Sequence, residues 1–166
     1  MAKKKSTNFS GETKTSFTFP HLNQDVADAV SDHITSVWFN RKTNQESDRK
    51  YSTFVMGRFT CDNGGCSKAA WSSGKVTIVI RGYPDNGYNA VVYNQRCTAC
   101  KKLGTLTLDE NSYVERVAYR LKKWAGVDME RPVYTLCTDG GNELWQSMAK
   151  EIDSGLIINL EMPYPN

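Results

Sequence analysis

The chain has 166 residues, enough for one domain with extensions, and a chain of that size buries roughly 68–70% of its extended surface on folding. An apolar share of 39% and a charged share of 23% are ordinary for a folded globular protein and set intrinsic disorder aside. The net charge of +3 permits an acidic or nucleic-acid partner without demanding one.

Residues 1–24, MAKKKSTNFSGETKTSFTFPHLNQ, are rich in Lys, Ser and Thr and broken by Gly11 and Pro20, the composition of a flexible basic arm. Lys3, Lys4 and Lys5 read as solubilising charge, with a nuclear address as the functional alternative. MAKKKSTN lacks the apolar stretch of a secretory leader, and no run approaches the roughly 18 apolar residues of a membrane span. The expected location is cytoplasmic or nuclear. In DVADAVSDHITSVWF, residues Val26, Ala29, Val30, Ile34, Val37 and Trp38 recur at three- and four-residue spacing behind Asp25. That pattern predicts an amphipathic helix over 25–40, with His33 at its border in a structural role. The polar NRKTNQESDRK is a linker.

From Tyr51 the pattern changes to β-branched and alternating residues in FVMGRFT, KVTIVIRGY and YNAVVYNQR. PDNG, residues Pro84 to Gly87, has turn chemistry, so an antiparallel hairpin joins 75–81 to 88–96, preceded by a strand near 54–60. After LTLDENS a second helix is predicted, capped by Asp109 or Ser112, with Tyr113, Val114, Val117, Ala118, Leu121, Trp124 and Ala125 on its apolar face and Gly126 as its stop. Arg116, Arg120, Lys122 and Lys123 fall on the face assigned to solvent. Beyond Met129 periodicity is weak, apart from a short helical stretch in NELWQSMAKEI. The expected fold class is α+β: a small antiparallel sheet of about three or four strands, zinc-ribbon-like, flanked by two amphipathic helices.

Of the five cysteines, four form two close pairs, Cys61 with Cys66 and Cys97 with Cys100, and Cys137 is left over. A paired-plus-orphan count in a reducing compartment argues against a disulfide framework. The insert between the pairs is 30 residues, about what one hairpin and its loops require, and a hairpin returns the chain to its starting edge. Four sulfurs then surround one ion at the roughly 2.3 Å of a tetrahedral four-cysteine zinc site. CTACKKLG has knuckle spacing followed by a glycine, and Gly64–Gly65 let the wider CDNGGC loop turn back. A redox motif needs its C-x2-C where a strand enters a helix, whereas CTAC leads into KKLGTLTLDE. Iron–sulfur binding also uses four cysteines, but compact knuckles between strands favour zinc. Four thiolates close the coordination shell, so the expected Zn2+ is a single structural ion rather than a catalytic one. Cys137 is read as a small buried side chain, with a ligand role as the alternative.

YSTFVMGRFTCDNGGCSKAAWSSGKVTIVIRGYPDNGYNAVVYNQRCTACKKLG, followed by YVERVAYRLKKWAG, resembles the 3CxxC-type zinc-binding domain. That family includes receptor-transporting proteins, zygote-arrest proteins and many fungal proteins, and the chain looks most like the fungal members. The resemblance covers roughly 51–132 and implies that Cys61, Cys66, Cys97 and Cys100 are the first two cysteine clusters of the family. The family pattern continues to a Gly-x-His segment and a third C-x2-C. Here that region reads DGGNELWQSMAKE, with Asn142 near the histidine position and no C-x2-C, which leaves a second metal site without its ligands. Residues 133–166 are accordingly a divergent tail.

Two functions follow as expectations. One is a zinc-stabilised module that binds another protein, with Trp71, Tyr83, Tyr88 and Tyr93 as candidate contact aromatics, although Trp71 is expected to pack beneath the knuckles. The other is RNA binding through basic knuckles, as the likeness to zygote-arrest members implies. Between residues 61 and 102 the cations Lys68, Lys75, Arg81, Arg96, Lys101 and Lys102 face only Asp62 and Asp85, but a four-thiolate zinc centre offsets part of that excess. An enzyme is not expected, since no nucleophile has an evident base, neither histidine lies near a candidate site, and no phosphate-binding or dinucleotide motif is present.

Overall fold

The hairpin written into PDNG organises the fold. In the computed structural model, which describes residues 14–42 and 44–131, strands β4 (Ala70–Tyr83) and β5 (Gly87–Tyr93) pair antiparallel across a turn closed by the Gly87 N–H on the Pro84 carbonyl. Its central residues Asp85 and Asn86 both lie at φ 59°, the left-handed geometry that matches strand twist and that Asp and Asn tolerate. On the far side of β4 runs β3 (Arg49–Thr60), in register from Arg49 opposite Gly82 to Thr60 opposite Ala70 with one irregularity between Val55 and Gly57. Strand β6 (Thr105–Leu108) pairs with the end of β3, β1 (Ser16–Thr18) pairs with β5, and β2 (Trp38–Phe39) runs parallel to the start of β5. The order is β1-β5-β4-β3-β6 in a curled sheet.

Alternation places Val55 and Phe59 of β3, Val76, Ile78 and Ile80 of β4, and Ala90 and Val92 of β5 on one face. Two helices cover that face: α1 (Asn23–Val30) through Val26 and Val30, and α2 (Glu110–Trp124) through Tyr113, Val117, Ala118 and Leu121. Helix α2 starts where the Asp109 side chain accepts the Ser112 N–H at 2.8 Å, and the Ser112 hydroxyl in turn accepts the Met56 N–H of β3. It stops at Gly126, whose φ of +84° suits a glycine.

The α+β class is as expected, but among the described residues the sheet has six strands rather than three or four. The additions are β1, β2 and β6, none longer than four residues. Strand β1 and the 3-10 turn Pro20–Leu22 fall within the span read as a flexible arm, and Leu22 is part of the core. The helix expected over 25–40 covers only Asn23–Val30. Beyond it Ser36 takes φ 59°, and the Trp38 indole lies against Gly87, where any Cβ would collide with it, while its Nε1 donates to the Asp85 carbonyl at 2.9 Å. The hairpin tip therefore claims Trp38 and Phe39 as a strand, overriding the local 3.6-residue period.

The basic face of α2 also departs from expectation. Arg116 is buried, the Arg120 guanidinium lies 3.2 Å from the Tyr51 ring centroid, and Lys122 pairs with Asp32 at 3.0 Å. Arg120 thus ties the helix to β3, and Lys122 ties it to the turn that follows α1. Helix α1 shares its core with α2 and the sheet. Among the described residues no helix is long and apolar enough to cross a membrane.

Removing the cap or the core contact should cost measurable stability. Asp109→Ala is expected to lower unfolding free energy by about 0.5–2 kcal/mol and Leu121→Ala by about 2–5 kcal/mol, read from urea unfolding at fixed zinc concentration.

Candidate metal centre

Both cysteine pairs lie just past strand ends at one end of the sheet. Beyond β3 the Cys61 N–H donates to the Ala69 carbonyl and the Cys66 N–H to the Asn63 carbonyl, each at 2.8 Å, folding residues 61–69 into a closed loop. Beyond β5 the Cys97 N–H donates to the Lys102 carbonyl at 2.8 Å and the Lys101 N–H returns to the Cys97 carbonyl at 2.9 Å. An isolated bridge between Arg96 and Leu103 closes this second knuckle.

Trp71 and Gln95 hold the two knuckles together. Trp71 stacks on Phe59 with centroids 5.1 Å apart and donates its Nε1 to the Gln95 side-chain oxygen at 3.3 Å. The Gln95 amide nitrogen reaches the Ser73 hydroxyl and the Lys75 carbonyl, both at 3.0 Å, and its backbone carbonyl accepts the Gly104 N–H. Asn94 links this base to the N-terminal strand by donating to the carbonyls of Lys14 and Gly104.

The result brings four sulfurs together: Cys61 and Cys100 at 3.5 Å, Cys66 and Cys97 at 3.6 Å, and all four within 4.8 Å of one another. A tetrahedron with Zn–S bonds of about 2.3 Å has sulfur–sulfur edges of roughly 3.8 Å, so the donor set fits zinc in number, element and spacing. Cys97 is buried and the other three are half-buried. The backbone N–H two positions on reaches each sulfur: Asn63 to Cys61, Lys68 to Cys66, Ala99 to Cys97 and Lys102 to Cys100. Such donors favour thiolate over thiol.

Four ionised sulfurs this close oppose one another, and the thiols divide accordingly. The Lys102 N–H, joined by the Asn63 side-chain amide, brings Cys100 down to about 6 against the opposing effect of burial. Cys97 is lowered as well, led by the Cys100 N–H. At Cys61 the Asn63 N–H favours the thiolate, but burial and the neighbouring sulfurs prevail and push it up to about 12; Cys66 is raised despite the Lys68 N–H. A dication at the centre would offset the burial and sulfur–sulfur contacts that raise the first-knuckle thiols.

The glycines do different work from that expected. Gly64 and Gly65 are not in the left-handed region, and a Cβ on Gly64 would meet nothing within 4 Å. In the second knuckle the left-handed residue is Lys101, at φ 62°, while Gly104 leaves room for Trp71, whose ring would stand 2.8 Å from an added Cβ. Of the candidate contact aromatics, Tyr83 and Tyr88 are buried, Trp71 is half-buried beside the knuckles, and Tyr93 is exposed. Trp38, read from sequence as part of a helix face, is among the described residues the other exposed large apolar side chain. Cys137, Asn142 and the stretch NELWQSMAKEI lie outside the described residues.

A family model of the 3CxxC zinc ribbon, described as a zinc-binding domain, matches residues 54–153, running past residue 132 into the span read as a divergent tail. No curated protein and no solved structure matches the chain.

The two glycine environments separate on substitution. Gly104→Ala should cost about 1–3 kcal/mol in a denaturant titration by displacing Trp71, whereas Gly64→Ala should stay within about 0.5 kcal/mol of the parent.

Proposed function

The chain belongs to the 3CxxC zinc-ribbon family of zinc-binding domains, and on that premise we propose that Cys61, Cys66, Cys97 and Cys100 hold one structural zinc ion in a non-catalytic module that binds another protein. The observation that carries this reading is the gathering of four Sγ atoms within 4.8 Å from two knuckles on different strands. Four thiolates fill a tetrahedral shell and leave no position for an activated water, which supports a structural role over a hydrolytic one. The zinc supplies folding free energy; structural sites contribute on the order of 10–16 kcal/mol in small peptides. In this chain it would tie the end of β3 to the end of β5.

A protein partner is supported by two large apolar side chains left in solvent among the described residues, Trp38 at 41% and Tyr93 at 37% exposure.

RNA is the second reading, favoured by one specific cluster. The Lys68 Nζ reaches across to the Thr98 hydroxyl at 3.1 Å, the Lys101 Nζ caps the Thr98 carbonyl at 2.9 Å, and Arg96 donates to the Lys101 carbonyl at 3.1 Å. Three cations thus converge on the tip of the second knuckle, with Lys102 exposed beside them. Phosphate recognition by such a rim would be strongly salt-dependent.

Elemental analysis of the native protein should return one zinc per chain, and Cys97→Ser, which removes the fully buried sulfur, should lose it together with the fold of the knuckles. Full zinc in that variant, or none in the parent, contradicts the site. For the partner, a pull-down of protein and RNA with the parent and a Lys101→Ala, Lys102→Ala double variant separates the readings. Protein capture that survives both the substitutions and raised salt supports the first; RNA capture lost under both supports the second.

A further inference from the structure

The end of the sheet away from the metal centre carries a cleft of about 300 Å³. It lies where the β4–β5 turn, the start of β3 and the last turn of α2 meet. Buried Leu121 and Tyr83 and half-buried Trp124 give it apolar walls, and its charged lining residues are Asp48, Arg49 and Asp85. Both aspartates are exposed. The Arg49 guanidinium is already committed, since its Nη1 donates to the Trp124 carbonyl at the end of α2. The lysines of that last turn are engaged elsewhere: Lys122 pairs with Asp32 at 3.0 Å, and the Lys123 Nζ stands 5.8 Å from the Tyr119 ring centroid. Neither lines the cleft. A chain of net charge +3 thus has, at this end, a concave and locally acidic site. Trp38 adjoins it, because its indole packs on Gly87 and donates to the Asp85 carbonyl, and both of those residues line the cleft.

We propose that this cleft is the docking site for a basic segment of the partner protein, taking a lysine or arginine side chain between Asp48 and Asp85 while the neighbouring residue of the segment lies on Trp38. The inference rests on the reading that the chain binds another protein. The lining selects a cation on an apolar stem. Two carboxylates and the carbonyl end of a helix draw the charged head, and Leu121 with the rings of Tyr83 and Trp124 accepts the methylenes. The same carboxylates repel an acidic segment or a nucleic-acid backbone, and the knuckle cations that suit phosphate stand at the other end of the sheet. A free amine would leave the exposed indole unused, whereas a peptide fills the cleft with one side chain and covers Trp38 with the next.

The test uses the full zinc-loaded chain and a fluorescein-labelled peptide of alternating lysine and leucine, with a glutamate–leucine peptide, spermidine and a single-stranded RNA as the competing occupants. Asp48→Asn combined with Asp85→Asn keeps the shape of the cleft and removes its charge, and should weaken the lysine peptide about tenfold by fluorescence anisotropy. Trp38→Ala should weaken it as well, while the Lys101→Ala, Lys102→Ala variant binds as the parent does. In NMR spectra of the parent, the indole N–H signals of Trp38 and Trp124 are expected to shift on adding the lysine peptide, with that of Trp71 unmoved; this measurement stands even where a variant does not fold. Affinity within about twofold of the parent in the double aspartate variant, an unmoved Trp124 signal, or an equal response to the glutamate peptide, spermidine or RNA overturns the site. Protein captured equally by the parent and by the double aspartate variant in the pull-down refutes this cleft and leaves the protein-partner reading standing. A parent that captures RNA and no protein defeats that reading instead.

Discussion

The mutual repulsion of four sulfurs is the constraint on which this structure turns. Cys61, Cys66, Cys97 and Cys100 lie close enough that their ionisation is collective, and the protein answers with N–H groups aimed at every sulfur. Those donors lower Cys97 and Cys100 but leave Cys61 and Cys66 raised, so hydrogen bonding alone completes only half the task. A doubly charged cation completes the other half, and the same electrostatics that disfavours the bare tetrathiolate makes the loaded one cohesive.

Around that centre, conventional packing does the rest. The long β3–β4–β5 meander presents a period-two apolar face, and two helices cover it. Trp71 and Gln95 carry the order of that sheet into the knuckles, one by stacking on Phe59 and the other by bonding to β4. The metal site is thus an extension of the sheet and shares its rigidity.

Much of this was legible in the sequence, and the exceptions have physical reasons. PDNG marked its hairpin because Asp and Asn accept left-handed geometry; Asp109 marked its helix because a cap needs only local chemistry. The four cysteines were legible because a hairpin-length insert forces their meeting. Strands β1, β2 and β6 were not, since two to four residues are too few to show a period and their pairing comes from partners far along the chain. The apolar spacing of Ile34, Val37 and Trp38 suggested more helix, but the contact that decides it is with Gly87, invisible to a local window. Arg116 looked solvated by type, yet its position on α2 turns it inward.

The division of the site between two loops has a consequence for biosynthesis. Translation runs at about 5–20 residues per second, so the 30-residue insert between Cys66 and Cys97 separates the two knuckles by roughly two to six seconds of chain growth. During that interval the emerging polypeptide exposes two thiols without their counterparts, a chelate of half the final denticity. The full set of four thiolates therefore exists only once the chain has been made through both strands of the β4–β5 hairpin.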